Sequence, residues 1–201
     1  MFAIVESGSI TSMPKGNKGV EISGVKHPAS IFTLWSESER NAIGVYTVEI
    51  DETNLKSEEW YNNTKITYAF SGGKVTGSYG TATAKPHADI LYTEQNKNDN
   101  EIPTGKDVGD VKQEGLKTIL IREVKAQAQG ILNQTDWYVV RKADTDEAIP
   151  SSVATHRAAV RTKQASMETA ITNAADTPAL EALYKRNESG VRPLGDFPNL
   201  E

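Results

Sequence analysis

The sequence predicts an α+β fold with a small β-rich domain at the N-terminus and an α-helical segment at the C-terminus. In the first part of the chain, β-branched and aromatic residues form short alternating runs, as in half-buried strands. Farther along, apolar residues recur every three or four positions, as on one face of a helix. These patterns divide the 201 residues into a β-rich head (1–84), a polar linker or loop (85–111), an α-helical region (112–187) and an extended tail (188–201).

The β-rich head contains one predicted strand and one predicted hairpin. The run VYTVEID (45–51) alternates apolar and polar residues, which predicts a half-buried strand. The run TKITYAFSGGKVTGSYGTA (64–82) has two strand-like segments on either side of Ser71-Gly72-Gly73, and these glycines supply the positive φ that a tight turn needs. The head is therefore predicted to be mostly β structure.

A short helical turn is predicted between two apolar runs of the head. Ser36 is followed three residues later by Glu39, which is the spacing of a capping box. Gly44 follows and is predicted to end the turn in the left-handed conformation. We expect Trp35 to anchor this capped turn between the strands on either side of it.

The segment after the head has a different composition. The run EQNKNDNEIPTGKDVGD (94–110) is rich in Asn, Asp, Gly and Pro and has no apolar periodicity. Such a composition is typical of linkers and exposed loops. It resembles a calcium loop only loosely, because Glu101 stands where that loop requires glycine.

Four helices are predicted after this segment. The first has an apolar stripe, and the second starts at Thr135 or Asp136 with Trp137 and Val140 on one face. Ser151 or Ser152 is predicted to cap the third helix, and Pro178 suits the first turn of the last one. The stripe of the first helix consists of Leu116, Ile119, Leu120, Val124, Ala128 and Ile131, and that of the third of Val153, Val160, Met167, Ile171 and Ala174.

Composition excludes several classes of function. The chain has 22 basic and 27 acidic residues, a net charge of −5, which argues against nucleic acid as the main ligand. It has no cysteine, and no apolar run approaches the ~18 residues of a membrane-spanning helix. The three histidines, His27, His87 and His156, lack metal-ligand spacing. We therefore expect no enzyme, no cofactor and no metal site.

Aromatic and basic residues are the candidates for a protein interface. Large aromatic side chains are the usual anchors of interfaces, although each of them is also a natural core residue. Arg157, Arg161 and Lys163 form a basic stripe on the third predicted helix, where a solvated face is the ordinary alternative. The candidate interface residues are Trp35, Trp60, Trp137, Tyr138, Arg157, Arg161 and Tyr184.

Two segments resemble small structural and assembly proteins of tailed bacteriophages. FAIVESGSI (2–10), followed by GVKHPASIFTLWSESERNAIGVYTVEID (24–51), resembles the start of phage tail and fibre-associated proteins. TDWYVVRKADTDEAIPSSVATHRAAVRT (135–162) resembles the C-terminal segment of tail fibre assembly proteins. The resemblance implies no cofactor and no catalytic residue. The family includes both virion parts and fibre-folding chaperones. The polar linker at 94–110 and the Gly- and Pro-containing tail favour a part that assembly orders, so the leading interpretation is a virion structural protein, an adaptor of the tail, the neck or the fibre attachment with a role in host attachment.

Two other functions stay open. The resemblance also allows a tail fibre assembly chaperone that is absent from the mature particle. Surface aromatic residues on the β-rich head would favour a receptor- or glycan-binding module. For the leading interpretation we expect other tail or fibre subunits as partners, a homo-oligomer in the particle, and neither nucleic acid nor membrane as a ligand. The expected location is the virion, after synthesis in the host cytoplasm.

Overall fold

The computed structural model describes residues 1–200 and has an α+β fold, as the sequence predicts. The chain divides into two compact units, Met1–Thr83 and Ala84–Glu201. Strands predominate in the first unit, and the long helices all lie in the second.

A five-stranded sheet forms the centre of the N-terminal unit. Its strands are β1 (Phe2–Glu6), β2 (Ser9–Ser12), β5 (Val45–Asp51), β7 (Thr67–Ser71) and β8 (Lys74–Ser78). Their order is β2-β1-β5-β8-β7, and β5 pairs with β8 in parallel while the other neighbours pair antiparallel. In register, Ile4 faces Val45 and Val48 faces Val75.

Successive residues of a strand point to opposite faces of the sheet. Buried apolar side chains lie on both faces of this one. On one side Ala3 and Val5 of β1 pack with Val48 and Val75. On the other side Ile4 belongs to a second buried cluster. That cluster also contains Ile22, Ile31, Phe32 and Val45.

Short elements precede and follow the strands of the sheet. The hairpin of β3 (Val20–Ile22) and β4 (Val25–His27) and the helix α1 (Ile31–Leu34) contribute Ile22, Ile31 and Phe32 to the second cluster. The strands β6 (Tyr61–Asn62) and β9 (Thr83–Ala84) form a separate two-stranded pair.

The predicted capped turn is the helix α2, Glu37–Ala42. The amide of Glu39 donates to Ser36 Oγ at 3.3 Å, and the amide of Ser36 donates to the Glu39 carboxylate at 2.8 Å, so the predicted capping box is confirmed. Gly44 follows with φ +83°, and a Cβ there would lie 2.5 Å from the carbonyl oxygen of Val5. Only glycine fits this close approach.

The predicted strand and hairpin are also confirmed. β5 covers Val45–Asp51, and β7 and β8 are joined through Gly72 and Gly73, whose φ angles are +58° and +77°. The hairpin register places Ser71 opposite Lys74.

The C-terminal unit begins with structure that the sequence does not predict. Within the expected linker 85–111 the chain forms β10 (Ile90–Leu91) and the helix α3 (Glu94–Asn98), and it enters β11 (Val111–Gln113). β10 and β11 pair antiparallel. α3 is polar on all sides, so it has no apolar stripe by which the sequence could reveal it.

Four helices follow, as predicted. They are α4 (Leu116–Asn133), α5 (Asp136–Thr145), α6 (Ser151–Asn173) and α7 (Thr177–Tyr184). In α4 the buried stripe includes Leu132, whereas Ile119 and Ile131 are only partly buried. All five residues of the predicted α6 stripe are buried. Ala128 and Leu132 pack against Val160 in the core between α4 and α6.

One expectation about this unit is wrong. Neither Ser151 nor Ser152 caps α6, because the helix starts at Ser151 after Pro150 and no side chain bonds to its first turn. Residues 188–200 form neither helix nor strand and pack against the unit: Leu194 is 4% exposed, and its carbonyl accepts a hydrogen bond from Lys163 Nζ at 2.7 Å. Phe197 packs against the α4–α6 core.

Candidate protein-interaction surface

The helix α5 has no buried residue, although it carries several large apolar side chains. Trp137 is 51% exposed, Val139 42% and Val140 67%. We call Trp137, Tyr138, Val139, Val140 and Arg141 the α5 surface. Trp137 and Val140 lie three residues apart and therefore share one face of the helix. Neighbouring exposed apolar groups mark interaction sites more often than isolated ones do.

A buried arginine of α6 fixes the turn before α5. Arg157 is 7% exposed and donates from Nη1 to the carbonyl of Leu132 and to Thr135 Oγ1, each at 2.7 Å. Its Nη2 forms an ion pair with Asp136 at 2.8 Å, and Thr135 Oγ1 itself donates to the carbonyl of Leu132 at 3.0 Å. A buried guanidinium is stable only when its donors have acceptors, so this network holds the start of α5 against α6.

Ring stacking then orders the aromatic side chains of the α5 surface. The rings of Trp137 and Tyr138 stack with centroids 3.7 Å apart, and the Arg141 guanidinium lies 4.9 Å and 5.2 Å from them. Arg141 also pairs with Glu147 at 3.2 Å. Side chains that are held in place before binding lose less conformational entropy when a partner arrives.

The other predicted interface residues lie in different surroundings. Trp60 is 4% exposed and is therefore a buried residue, not a surface anchor. Trp35 is half-buried, with its ring edge-on to His27 at 6.1 Å. Tyr184 is half-buried under Arg192, and Arg161 is exposed beside the groove between α4 and α6.

The structure also corrects the predicted basic stripe of α6. Arg157 is buried and paired, whereas Arg161 is exposed, so the two arginines do not form one solvated face. Within the predicted set, the structure brings the rings of Trp137 and Tyr138 into contact. Val139 and Arg141 are not among the predicted interface residues. The apolar run after Trp137 indicates Val139, because α5 buries none of its residues, whereas Arg141 has no such signal.

Carboxylates with shifted pKa values accept local hydrogen bonds. The hydroxyl and amide of Ser36 lower the pKa of Glu39, and the amide of Ser23 with the hydroxyls of Thr11 and Ser23 lowers that of Glu6. The amide of Gly115 and the hydroxyl of Thr118 lower the pKa of Asp89. Hydrogen bonds to the charged form have this effect, and these groups act as structural acceptors.

Residues 1–200 contain neither a metal-binding cluster nor a membrane-spanning helix. No group of three or more His, Asp or Glu side chains in this range could hold a metal ion. None of the helices described is both long enough and apolar enough to cross a bilayer.

Comparison with known proteins identifies no relative of the chain. No protein-family model, no curated protein and no solved structure matches it. The functional argument therefore depends on the residues and contacts described above.

Proposed function

We propose that the chain is a structural component of a tailed-phage virion, an adaptor of the tail, neck or fibre attachment, that acts through protein–protein assembly. The α5 surface is the observation that supports this proposal. A helix that buries none of its residues leaves Trp137 and Val140 available to another subunit. Trp, Tyr and Arg, which are the residue types most enriched at the energetic centres of interfaces, all occur there.

In this proposal contacts within the chain hold the side chains of the α5 surface in place, and a partner subunit buries their exposed apolar area. The Arg157 network fixes the first turn of α5, and the stack of Trp137, Tyr138 and Arg141 fixes its side chains. Docking would remove the exposed parts of Trp137, Val139 and Val140 from water, which is favourable by about 25 cal/mol for each Å² of apolar area buried.

The resemblance of residues 135–162 to tail fibre assembly proteins gives the proposal its biological setting. That segment contains the whole α5 surface and Arg157. The same resemblance supports a second candidate, an assembly chaperone that uses the α5 surface only while a fibre is being built.

Quantitative mass spectrometry of gradient-purified particles separates these two candidates. A structural component is expected at a fixed, reproducible ratio to the major capsid protein. A chaperone is expected in the lysate of infected cells and not in the particles, and that result would overturn the leading proposal.

A further inference from the structure

We propose that a basic cleft at the C-terminal end of α7 binds an acidic peptide segment of a partner protein. The cleft has a volume of about 450 Å³ and lies between the end of α7 and the loop that follows it. Of the described residues that line it, three are cations, Lys185, Arg186 and Arg192, and none is acidic. This inference does not depend on the proposed virion function, because it concerns a different surface from α5.

The positive charges of the cleft exceed the negative charge that pairs with them. Asp196 accepts hydrogen bonds from Arg186 Nη1 and Nη2 at 3.3 Å and 3.2 Å, and Arg192 Nη2 pairs with the same carboxylate at 3.1 Å. Lys185 is exposed and belongs to no ion pair within residues 1–200. Three cations therefore share one carboxylate, and a cleft with such an excess attracts anionic groups.

Contacts within the chain hold the two guanidinium groups in place. Arg192 Nε donates to the carbonyl of Gly195 at 3.0 Å, and its guanidinium lies 5.4 Å from the centre of the Tyr184 ring. Arg186 Nη1 donates to the carbonyl of Gly190. Side chains that are ordered before a ligand arrives lose less conformational entropy on binding.

The ion pairs that order these arginines also persist at neutral pH. The hydrogen bonds from Arg186 and the charge of Arg192 lower the pKa of Asp196, so this carboxylate stays ionised and keeps both partners.

The remaining walls of the cleft favour a peptide over an isolated anion. Ala182, Val191 and Pro193 supply apolar surface, and Val191 is 56% exposed. A guanidinium can form two parallel hydrogen bonds with one carboxylate. Arginine clusters are a recurring means by which proteins recognise acidic motifs. A segment that carries both acidic and apolar side chains would contact both kinds of wall.

NMR titration of the full chain at about 0.15 M salt tests the site with three probes. They are an acetylated Glu-Leu-Glu-Leu peptide, a Gln-Leu-Gln-Leu peptide of the same length, and inorganic phosphate. We expect the acidic peptide to cause saturable shifts at the amides of residues 185–192 and at the Nε–H groups of Arg186 and Arg192. The Gln-Leu-Gln-Leu peptide should cause none.

Three results of this titration would overturn the proposal. Binding of phosphate at least as tight as that of the acidic peptide would identify a phosphate ligand. Equal binding of the two peptides would show that charge is not recognised. Shifts that do not saturate, or that lie outside the cleft, would show non-specific attraction.

Variants locate the binding. Lys185→Gln removes an exposed cation and should weaken binding about threefold, as for one exposed ion pair. Arg186→Gln should weaken it about tenfold through the loss of a charged hydrogen-bond donor, while Asp196 keeps Arg192 as its partner. Lys106→Gln is the matched control, because Lys106 is exposed in the same unit outside the cleft, and it should bind as the unmodified chain does.

Charge reversal gives the clearest outcome. Lys185→Glu places a carboxylate in the cleft and should abolish binding of the acidic peptide. If Lys185→Glu binds this peptide as tightly as the unmodified chain, or if Lys106→Gln weakens binding as much as Lys185→Gln does, the cleft is not the binding site.

Discussion

In the N-terminal unit Trp60 is almost fully buried, with 4% of its surface exposed, whereas in the C-terminal unit Trp137 leaves 51% exposed. Both tryptophans follow acidic residues and precede a tyrosine in the sequence, so local composition does not separate them. The difference lies in their surroundings: Trp60 lies in the turn before β6 and is buried, whereas Trp137 lies on α5, which buries none of its residues. Exposure of an aromatic therefore depends on the packing around its segment and not on the residue types beside it in the sequence.

The sharpest test of this contrast replaces each tryptophan in turn. Trp60→Ala should destabilise the N-terminal unit by about 4 kcal/mol, as for other buried large-to-small substitutions. Trp137→Ala should cost only about 1 kcal/mol, mainly from the lost stacking on Tyr138. Urea denaturation followed through the amide signals of β5 and α6 measures both effects. Equal losses in the free energy of unfolding for the two variants would contradict the difference in burial between Trp60 and Trp137.

A second test concerns the two arginines of α6. Arg157→Leu should destabilise the C-terminal unit by about 3 kcal/mol, because it removes the buried guanidinium that donates to the carbonyl of Leu132, to Thr135 Oγ1 and to Asp136. Arg161→Leu, the matched control, should change the free energy of unfolding by no more than about 0.5 kcal/mol, because Arg161 is exposed. Urea denaturation measures both variants, and an Arg157→Leu effect no larger than that of Arg161→Leu would contradict the buried network.

A third test compares two glycines of the N-terminal unit that have similar backbone conformations. Gly44 has φ +83° and Gly24 φ +80°, but only at Gly44 does a Cβ meet the backbone, at the carbonyl oxygen of Val5. Gly44→Ala should cost about 3 kcal/mol and Gly24→Ala about 1 kcal/mol, the cost of the left-handed conformation alone. Thermal unfolding of the two variants should show this order, and the reverse order would contradict the close approach.

The smallest expected effect is a pH dependence of the N-terminal unit. Hydrogen bonds from Ser36 and Ser23 lower the pKa values of Glu39 and Glu6 in the folded chain. Their contribution to stability is therefore complete above the pKa values of the unfolded chain and disappears as the pH falls through the lower folded values. Glu39→Gln should slightly reduce the fall in the free energy of unfolding at acid pH, measured by urea denaturation at a series of pH values. An unchanged pH dependence would contradict the role of the Glu39 carboxylate as a hydrogen-bond acceptor.

Local signals in the sequence predict the local structure well. The capping box of Ser36 and Glu39, the glycines at 72 and 73 and the alternation of 45–51 each depend on neighbouring residues, and each is found as predicted. The parallel pairing of β5 with β8 could not be predicted, because alternation identifies a strand but not its neighbour. The polar helix α3 has no periodic apolar signal at all.

The candidate surface was predicted only in part for the same reason. Trp137 and Tyr138 could be named as anchors from their residue types. The burial of Arg157 could not be foreseen, because its acceptors Leu132, Thr135 and Asp136 lie more than twenty residues earlier in the chain. Contacts over such a distance are set by the packing of α4 against α6 and have no local sequence signature.

The central claim is that α5 attaches the chain to a virion. Its most direct test is the amount of the chain in gradient-purified particles after Val140→Glu, with Val25→Glu as the control. Val140 is 67% exposed on α5 and Val25 57% exposed in the N-terminal unit, so both variants should fold. We predict that Val140→Glu removes the chain from particles, while Val25→Glu leaves its ratio to the capsid protein unchanged. Normal incorporation of Val140→Glu would contradict the account.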